Sequence, residues 1–286
     1  MNESDQTTPM FLTIGHASRD LVPGGWRWGG TVTYAALLAR TWGISTAVLT
    51  ALAPADVGPY QTLLGSDAML YALPSQSTTS MENVYSATGR SQQLAAKAAK
   101  IHPRHIPAAW RSTPTVLVAP LVGEVSTQFG SYFPQDSLVA MTIQGRLRSH
   151  RKGRMYTRRW HRAEQEFSAY DIIFFSEEDV RGNAELAAYY ASLVPLAVMT
   201  QGNSGATVFA HSRALQYTAF PAQPVDVTGA GDVFTAAFLF TYAATRDPAA
   251  ACRYANAAAA CSIEHVGTSG IPTRRQVEAR LRTVIR

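Results

Sequence analysis

The sequence predicts one α/β domain, built on a mostly parallel sheet that helices cover on both faces. Three observations carry this. Short, continuous apolar runs alternate with stretches of helical pattern, as expected for strands buried on both sides. The 286 residues are 47% hydrophobic and 16% charged, which supports a large core and excludes a disordered chain. No internal repeat and no Ser/Gly/Pro-rich linker divides the chain, so residues 1–286 read as a single domain.

Phe11 to Gly15 reads as a buried first strand. Thr31 to Trp42 reads as a helix apolar or small on most faces, hence buried, and Gly43 ends it. Thr46 to Ala51 is the second strand. Met69 to Leu73 and Met81 to Ser86 are short strands, the latter followed by a turn at Thr88-Gly89-Arg90. Val116 to Ala119, Leu138 to Thr142, Ile172 to Phe175 and Ala197 to Thr200 are further apolar strands with helical stretches between. Thr207 to Ala210 and Tyr217 to Phe220 read as an antiparallel pair joined by a turn at His211 to Leu215. Two helices close the core, Val233 to Thr245 and Pro248 to His265. Asp247 is the expected cap of the second, Pro248 its first residue and Gly267 its stop.

No apolar run reaches the ~20 residues of a membrane span. Met1 to Pro9 is polar, without a basic-then-apolar export pattern, and a cytoplasmic location is expected. Cys252 and Cys261 match no metal motif and read as free thiols. The net charge of +5 is local. Arg146 to Arg162 holds eight Lys/Arg and no acid, leaving 17 basic against 20 acidic residues elsewhere. A nucleic-acid footprint could arise there, but a solvated hairpin or an oligomer contact is the simpler reading.

The most informative stretch is Val225-Asp226-Val227-Thr228-Gly229-Ala230-Gly231-Asp232. Small residues stand where a loop becomes a helix, and the first N–H groups of that helix can hold an anion. Asp232, in the first turn, can accept a proton from a hydroxyl while those N–H groups steady a phosphoryl group. Local physics alone also allows a tight turn with an acid at the helix dipole.

D-x-T-G-A-G-D before an apolar helix resembles the C-terminal signature of the ribokinase/PfkB family of carbohydrate kinases. Gly29-Gly30-Thr31-Val32-Thr33-Tyr34, continuing to Arg40, resembles the family's N-terminal Gly-Gly signature, with Tyr34 where Asn is common. Thr200-Gln201-Gly202-Asn203-Ser204-Gly205 resembles its T-x-G-x-x-G nucleotide loop. Ser176-Glu177-Glu178-Asp179 falls where the family has N-x-x-E, and the run from Thr78 to Tyr85, followed by Gly89-Arg90, resembles its lid hairpin.

The resemblance implies a ribokinase-like three-layer α/β/α fold with a mostly parallel sheet. It also implies a reduced β lid from segments 20–28 and 78–92, because only Leu21 to Trp28 separate Asp20 from Gly29. It implies transfer of the γ-phosphoryl group of ATP to a sugar, a polyol such as inositol, or a nucleoside. Asp232 would be the base, with Gly229, Ala230 and Gly231 as the anion cradle. Asp20, Gly29, Gly30 and Tyr34 would hold the acceptor, with Glu124 and Gln144 as further pocket candidates and Arg146 and Arg148 as weaker readers of an anionic acceptor. Thr200, Gly202, Gly205, Thr228, Asn256 and Gly267 would line the nucleotide site. Asp179 would reach Mg²⁺ through water, and Asp226 would help hold a monovalent cation such as K⁺. The short lid and basic segment point to a homodimer. The rival reading is a member that has lost turnover and binds a nucleotide or polyol, since Tyr34, Ser176 and Asp179 depart from the family pattern.

Overall fold

The computed structural model describes residues 7–86, 89–211 and 213–283, with the backbone alone for 83–86 and 89–91. The chain opens with β1 (Phe11–Ile14), β2 (Ser18–Val22), β3 (Gly25–Gly29), α1 (Thr31–Thr41) and β4 (Thr46–Leu52). It continues with α2 (Pro54–Leu64), β5 (Met69–Pro74), β6 (Thr79–Ser86), β7 (Gly89–Ala96), β8 (Thr115–Val118) and β9 (Leu138–Thr142). Then come α3 (Gln144–Leu147), β10 (Arg148–Arg151), β11 (Arg154–Thr157), α4 (Ala163–Phe167), β12 (Ile172–Ser176) and α5 (Ala184–Ala191). The last elements are β13 (Leu196–Thr200), β14 (Ala206–Ala210), β15 (Arg213–Tyr217), α6 (Ala230–Thr245), α7 (Pro248–Ser262) and α8 (Arg274–Arg282).

Nine strands form the central sheet in the order β15-β14-β13-β12-β9-β8-β1-β4-β5. All pairs are parallel except β13–β14 and β14–β15. Alternating residues of each strand feed two separate cores. Phe11, Val48 and Leu117 face α1, α6 and α7, whereas Leu12, Leu49 and Val116 face α4 and α5. The continuous apolar runs therefore have the expected cause: every residue of β4 is buried because both faces are covered. Helix α6 is apolar all round because it sits between the sheet and α7. Asp247 caps α7 by accepting from the N–H groups of Ala249 (2.9 Å) and Ala250 (3.2 Å), with Pro248 first in the helix.

A second sheet, β10-β11-β7-β6-β2-β3, covers one end of the first. This lid is larger than the sequence suggests. Segments 20–28 and 78–92 do contribute, as β2, β3, β6 and β7, but the basic segment adds β10 and β11. That hairpin joins the edge of β7 through the pairing of Arg154 with Gln93 and a 2.8 Å bond from Leu94 N–H to the Gly153 carbonyl. Part of the lid is thus made by the segment that read as a solvated hairpin. Residue Thr88 of the expected turn lies outside the described residues, as do 1–6 of the polar N-terminus.

Two boundaries also differ. The last strand is Arg213–Tyr217, not Tyr217–Phe220. The Asn256 amide takes the carbonyls of Tyr217 and Thr218 (both 3.2 Å), which diverts the chain from the ladder toward α7. Helix α7 ends at Ser262, three residues before His265. Its next carbonyl, Ile263, accepts the N–H groups of Val225 (2.7 Å) and Asp226 (3.1 Å), so the helix end anchors the loop leading to Asp232. Among the described residues no helix is long and apolar enough to cross a membrane.

Candidate active site

The candidate residues gather at the C-terminal ends of the parallel strands, beside β1. That strand lies between β4 and β8, where the direction of winding reverses and ligands of open α/β sheets bind. The N-termini of α1 and α6 meet there. Thr31, the first residue of α1, donates a 2.6 Å hydrogen bond to Asp232 Oδ1 in the first turn of α6. This bond fixes the carboxylate and leaves its other oxygen to the cleft.

Asp232 is half-buried, and burial pushes its pKa up to about 6. The Thr31 hydroxyl and the Arg148 charge pull it down, while Asp20 pushes it up. A carboxylate so tuned is a better base than one in water yet remains ionised near neutrality. Gly229 starts α6 in the left-handed conformation (φ 80°). Among the described residues no protein oxygen accepts from the N–H groups of Gly229, Gly231 or Asp232. The Ala230 N–H instead bonds the Val227 carbonyl at 3.3 Å. The N–H groups of Gly229 and Gly231 are therefore open, whereas that of Ala230, expected to share the cradle, is taken by Val227.

The Asp20 carboxylate lies over the Cα of Gly29. A Cβ at Gly29 would come within 2.1 Å of Asp20 Oδ2 and push the carboxylate aside, so glycine leaves Asp20 its place. The Ser18 hydroxyl donates to Asp20 Oδ1 at 2.8 Å. Gly30 has φ 85°, and a Cβ there would meet the His16 carbonyl at 2.5 Å. Tyr34 is buried with its ring against Gly229, where an added Cβ would lie 2.2 Å from Tyr34 Cε1. Burial raises its pKa, and Asp232, Asp20 and Asp226 raise it further, so the phenol stays protonated. Tyr34 thus touches the catalytic turn and shares the field of its carboxylates.

A small cavity of about 70 Å³ lies under Asp232, lined by Thr31, Gln144, Ser176, Asp179, Thr200 and Gly231 among others. Asp179 is buried and its Oδ2 accepts from Ser176 N–H (2.9 Å), while its own N–H reaches the Ser176 hydroxyl (3.2 Å). The pair closes a turn that places Asp179 in the cavity wall. Beyond Ala230 a cleft of about 430 Å³ is walled by Phe220, Pro221, Ala259 and Ile263, with Gly202 and Asn256 at its edges. Gly205 only shapes this region: its φ is 91°, and a Cβ would strike the Tyr217 carbonyl at 2.0 Å.

Asp226 is held by three groups. It accepts from Thr228 N–H (2.9 Å) and Gly267 N–H (3.1 Å), and Arg27 of β3 lies 3.7 Å away. Burial opposes its ionisation, but the bonds from Thr228 and Gly267 and the Arg27 charge outweigh that and keep its pKa low. Thr228 and Gly267 are therefore partners of Asp226 and not part of the cleft wall.

Glu124 does not belong to the pocket. It is fully buried, and its oxygens accept from the N–H groups of His16 (3.1 Å), Leu121 (2.8 Å) and Val122 (2.7 Å). It fastens the loop after β8 to the end of β1. Arg146 is likewise structural: it is buried against Glu166 (2.7 Å) and donates to the carbonyls of Val125 and Ser126. Gln144 does reach the site. Sequence reasoning missed Thr31 and Arg27. The signal for Thr31 was a hydroxyl directly after Gly29-Gly30 at a helix start; Arg27 had none, because its partner is 199 positions away, at Asp226.

Residues 131–274 match the family described as pfkB family carbohydrate kinase. A ribokinase of Bacillus subtilis (strain 168) is 43% identical over 97 residues, covering 34% of this chain and 32% of that protein. The match thus spans about a third of that curated relative. Among solved structures, a pyrophosphate-dependent kinase in the ribokinase family, complexed with a pyrophosphate analog and myo-inositol, superposes with a TM-score of 0.81 at 24% identity, covering 94% of this chain and 99% of that one. A ribokinase of Arabidopsis thaliana, complexed with ribose and ATP, gives 0.72 at 19% identity over 96% and 99% of the two chains. A fructokinase of Xylella fastidiosa with bound ATP gives 0.77 at 15% identity over 97% and 100%. The fold is that of ribokinase-like proteins.

Proposed function

The chain belongs to the pfkB family of carbohydrate kinases, and from that premise we propose that it transfers the γ-phosphoryl group of ATP to a hydroxyl of a sugar, a polyol such as inositol, or a nucleoside. The observation that carries this reading is the Asp232 carboxylate, oriented by Thr31, with a pKa of about 6, beside the open N–H groups of Gly229 and Gly231. Asp20 and the backbone of Gly29 and Gly30 hold the acceptor so that one hydroxyl faces Asp232, which takes its proton as the oxygen attacks. The Gly229 and Gly231 N–H groups bind the phosphoryl oxygens where charge collects. The cleft lined by Phe220, Pro221, Ala259 and Ile263 offers apolar faces for a purine.

The buried edge of Asp179 at the cavity under Asp232 fits a Mg²⁺ ion held through water and donor phosphates. Bound there, the ion would neutralise phosphate charge. Asp226 does not fit a monovalent cation in the same way, because Arg27 already lies against it and both its oxygens accept N–H groups. We assign no K⁺ there. The test is phosphate transfer to a panel of sugars, inositols and nucleosides, with ATP as donor and pyrophosphate run in parallel. Transfer to none of them, with ATP bound, would leave the rival reading of a binding module that has lost turnover.

A further inference from the structure

The basic hairpin of β10 and β11 plays no part in the proposed transfer step. Strands β10 and β11 roof a polar cavity of about 550 Å³, and Arg148 and Arg154 line it with Gln92, Gln144, Glu178 and Asp179. Gln144 and Asp179 also line the cavity under Asp232, so the two spaces adjoin. Arg148 stands two residues after Arg146, whose guanidinium is locked against Glu166 and the Val125 and Ser126 carbonyls. Trp160 bonds the other Glu166 oxygen at 2.8 Å, which ties down the chain beyond β11 as well. Arg181 Nη2 donates to the Thr157 carbonyl at 2.5 Å and joins the turn carrying Asp179 to the hairpin. The arginines are thus presented on a braced frame. The Arg148 charge is felt at Asp232, where it opposes the effect of burial. Of the two acids in the wall, Asp179 is answered by Ser176 N–H and Glu178 is exposed.

We propose that this cavity is a second anion subsite, in which Arg148 and Arg154, with the Gln144 amide, bind a phosphate group next to the transfer site. Guanidinium forks match phosphate oxygens, and an amide can add a donor. The phosphate is either the terminal group of the donor or one already carried by the acceptor. Only the choice of ligand rests on the phosphoryl-transfer reading.

Inorganic phosphate is titrated calorimetrically into the full chain at constant ionic strength. Arg148→Gln and Arg154→Gln should each weaken it by roughly tenfold or more, the worth of a charge-assisted bond. Arg151→Gln, exposed at the end of β10, should not. Thermal melts confirm folding, and Arg154→Gln stands alone if Arg148→Gln does not fold. Kinetics separate the sources. A fall in kcat with every acceptor assigns the subsite to the donor. A loss of kcat/KM confined to phosphorylated acceptors assigns it to the acceptor. A wild-type chain that binds phosphate through these arginines but transfers none sinks the kinase reading and leaves the subsite. Phosphate affinity unchanged in the folded variants overturns the proposal.

Discussion

Replacing Asp232 with Asn should sharply slow transfer and stabilise the protein, and both effects follow from one environment. Asn keeps an oxygen to accept from Thr31, so the local geometry survives. The base is lost, which should cost roughly 10²–10⁴-fold in kcat/KM. Burial raises the Asp232 pKa from 3.8 to about 6. At ~1.4 kcal/mol per pH unit, ionising it in the folded chain costs at most about 3 kcal/mol. The sign is that of an acid with a raised pKa: the folded state is penalised above pH 6, and the penalty fades as pH falls from 6 toward 3.8. Because the side chain is half open and its surroundings relax, a gain of about 1–3 kcal/mol is expected for Asp232→Asn at pH 8, or roughly 2–5 °C in Tm. That gain should vanish near pH 4. The assays are coupled kinase turnover and calorimetric melts at both pH values. In the wild type, kcat/KM should lose a decade per unit below pH about 6. An Asn variant that keeps most of its turnover would falsify the base assignment. One that melts no higher than wild type at pH 8 would refute the burial argument.

Further outcomes are expected. Gly229→Ala should destabilise by about 2–4 kcal/mol and stop turnover, because its Cβ meets the Tyr34 ring and its φ is left-handed. Adding Tyr34→Ala should recover part of the stability in a double-mutant cycle, and additive losses would show that the two do not touch. Glu124→Gln should lower stability by about 2–4 kcal/mol, measured in urea, yet leave the acceptor KM unchanged in the folded fraction, since Glu124 holds backbone N–H groups. Acid should weaken the same region: the Glu124 pKa is held down by His16 and the Leu121 and Val122 N–H groups against burial, and burial lowers that of His16. Stability from both is present at neutral pH and is lost as pH falls below 6.5 and then through the carboxylate range, which amide exchange of residues 121–124 would report. Arg27→Gln removes the cation beside Asp226. Turnover should fall a few-fold and its salt sensitivity should drop; an unchanged salt profile would argue against the Arg27 assignment.

Much of the fold was legible because buried strands must be apolar on both faces, and β4, β9 and β12 show this in consecutive residues. The candidate site's corner was legible because Gly229 and Asp232 lie three residues apart, within one helix start. The lid was not. Strands β10 and β11 carry charged and polar residues with little period-two contrast, and only pairing with β7 makes them part of a sheet. The roles of Glu124 and Arg146 were equally hidden. A carboxylate after a strand end looks the same in sequence whether it faces a substrate or three backbone N–H groups.

By itself the sequence determined what local physics encodes: which runs are buried, where helices begin, and that an acid sits at a glycine-rich helix start. The tertiary structure decided what depends on partners far apart in the chain. It set Thr31 against Asp232, Tyr34 against Gly229 and Arg27 against Asp226, and it brought the basic hairpin beside Gln144 and Asp179. The three side-chain contacts join residues 195 to 201 positions apart, where no periodicity carries information. They form because the helices that start at Gly30 and Gly229 pack against the same sheet and so bring their N-termini together.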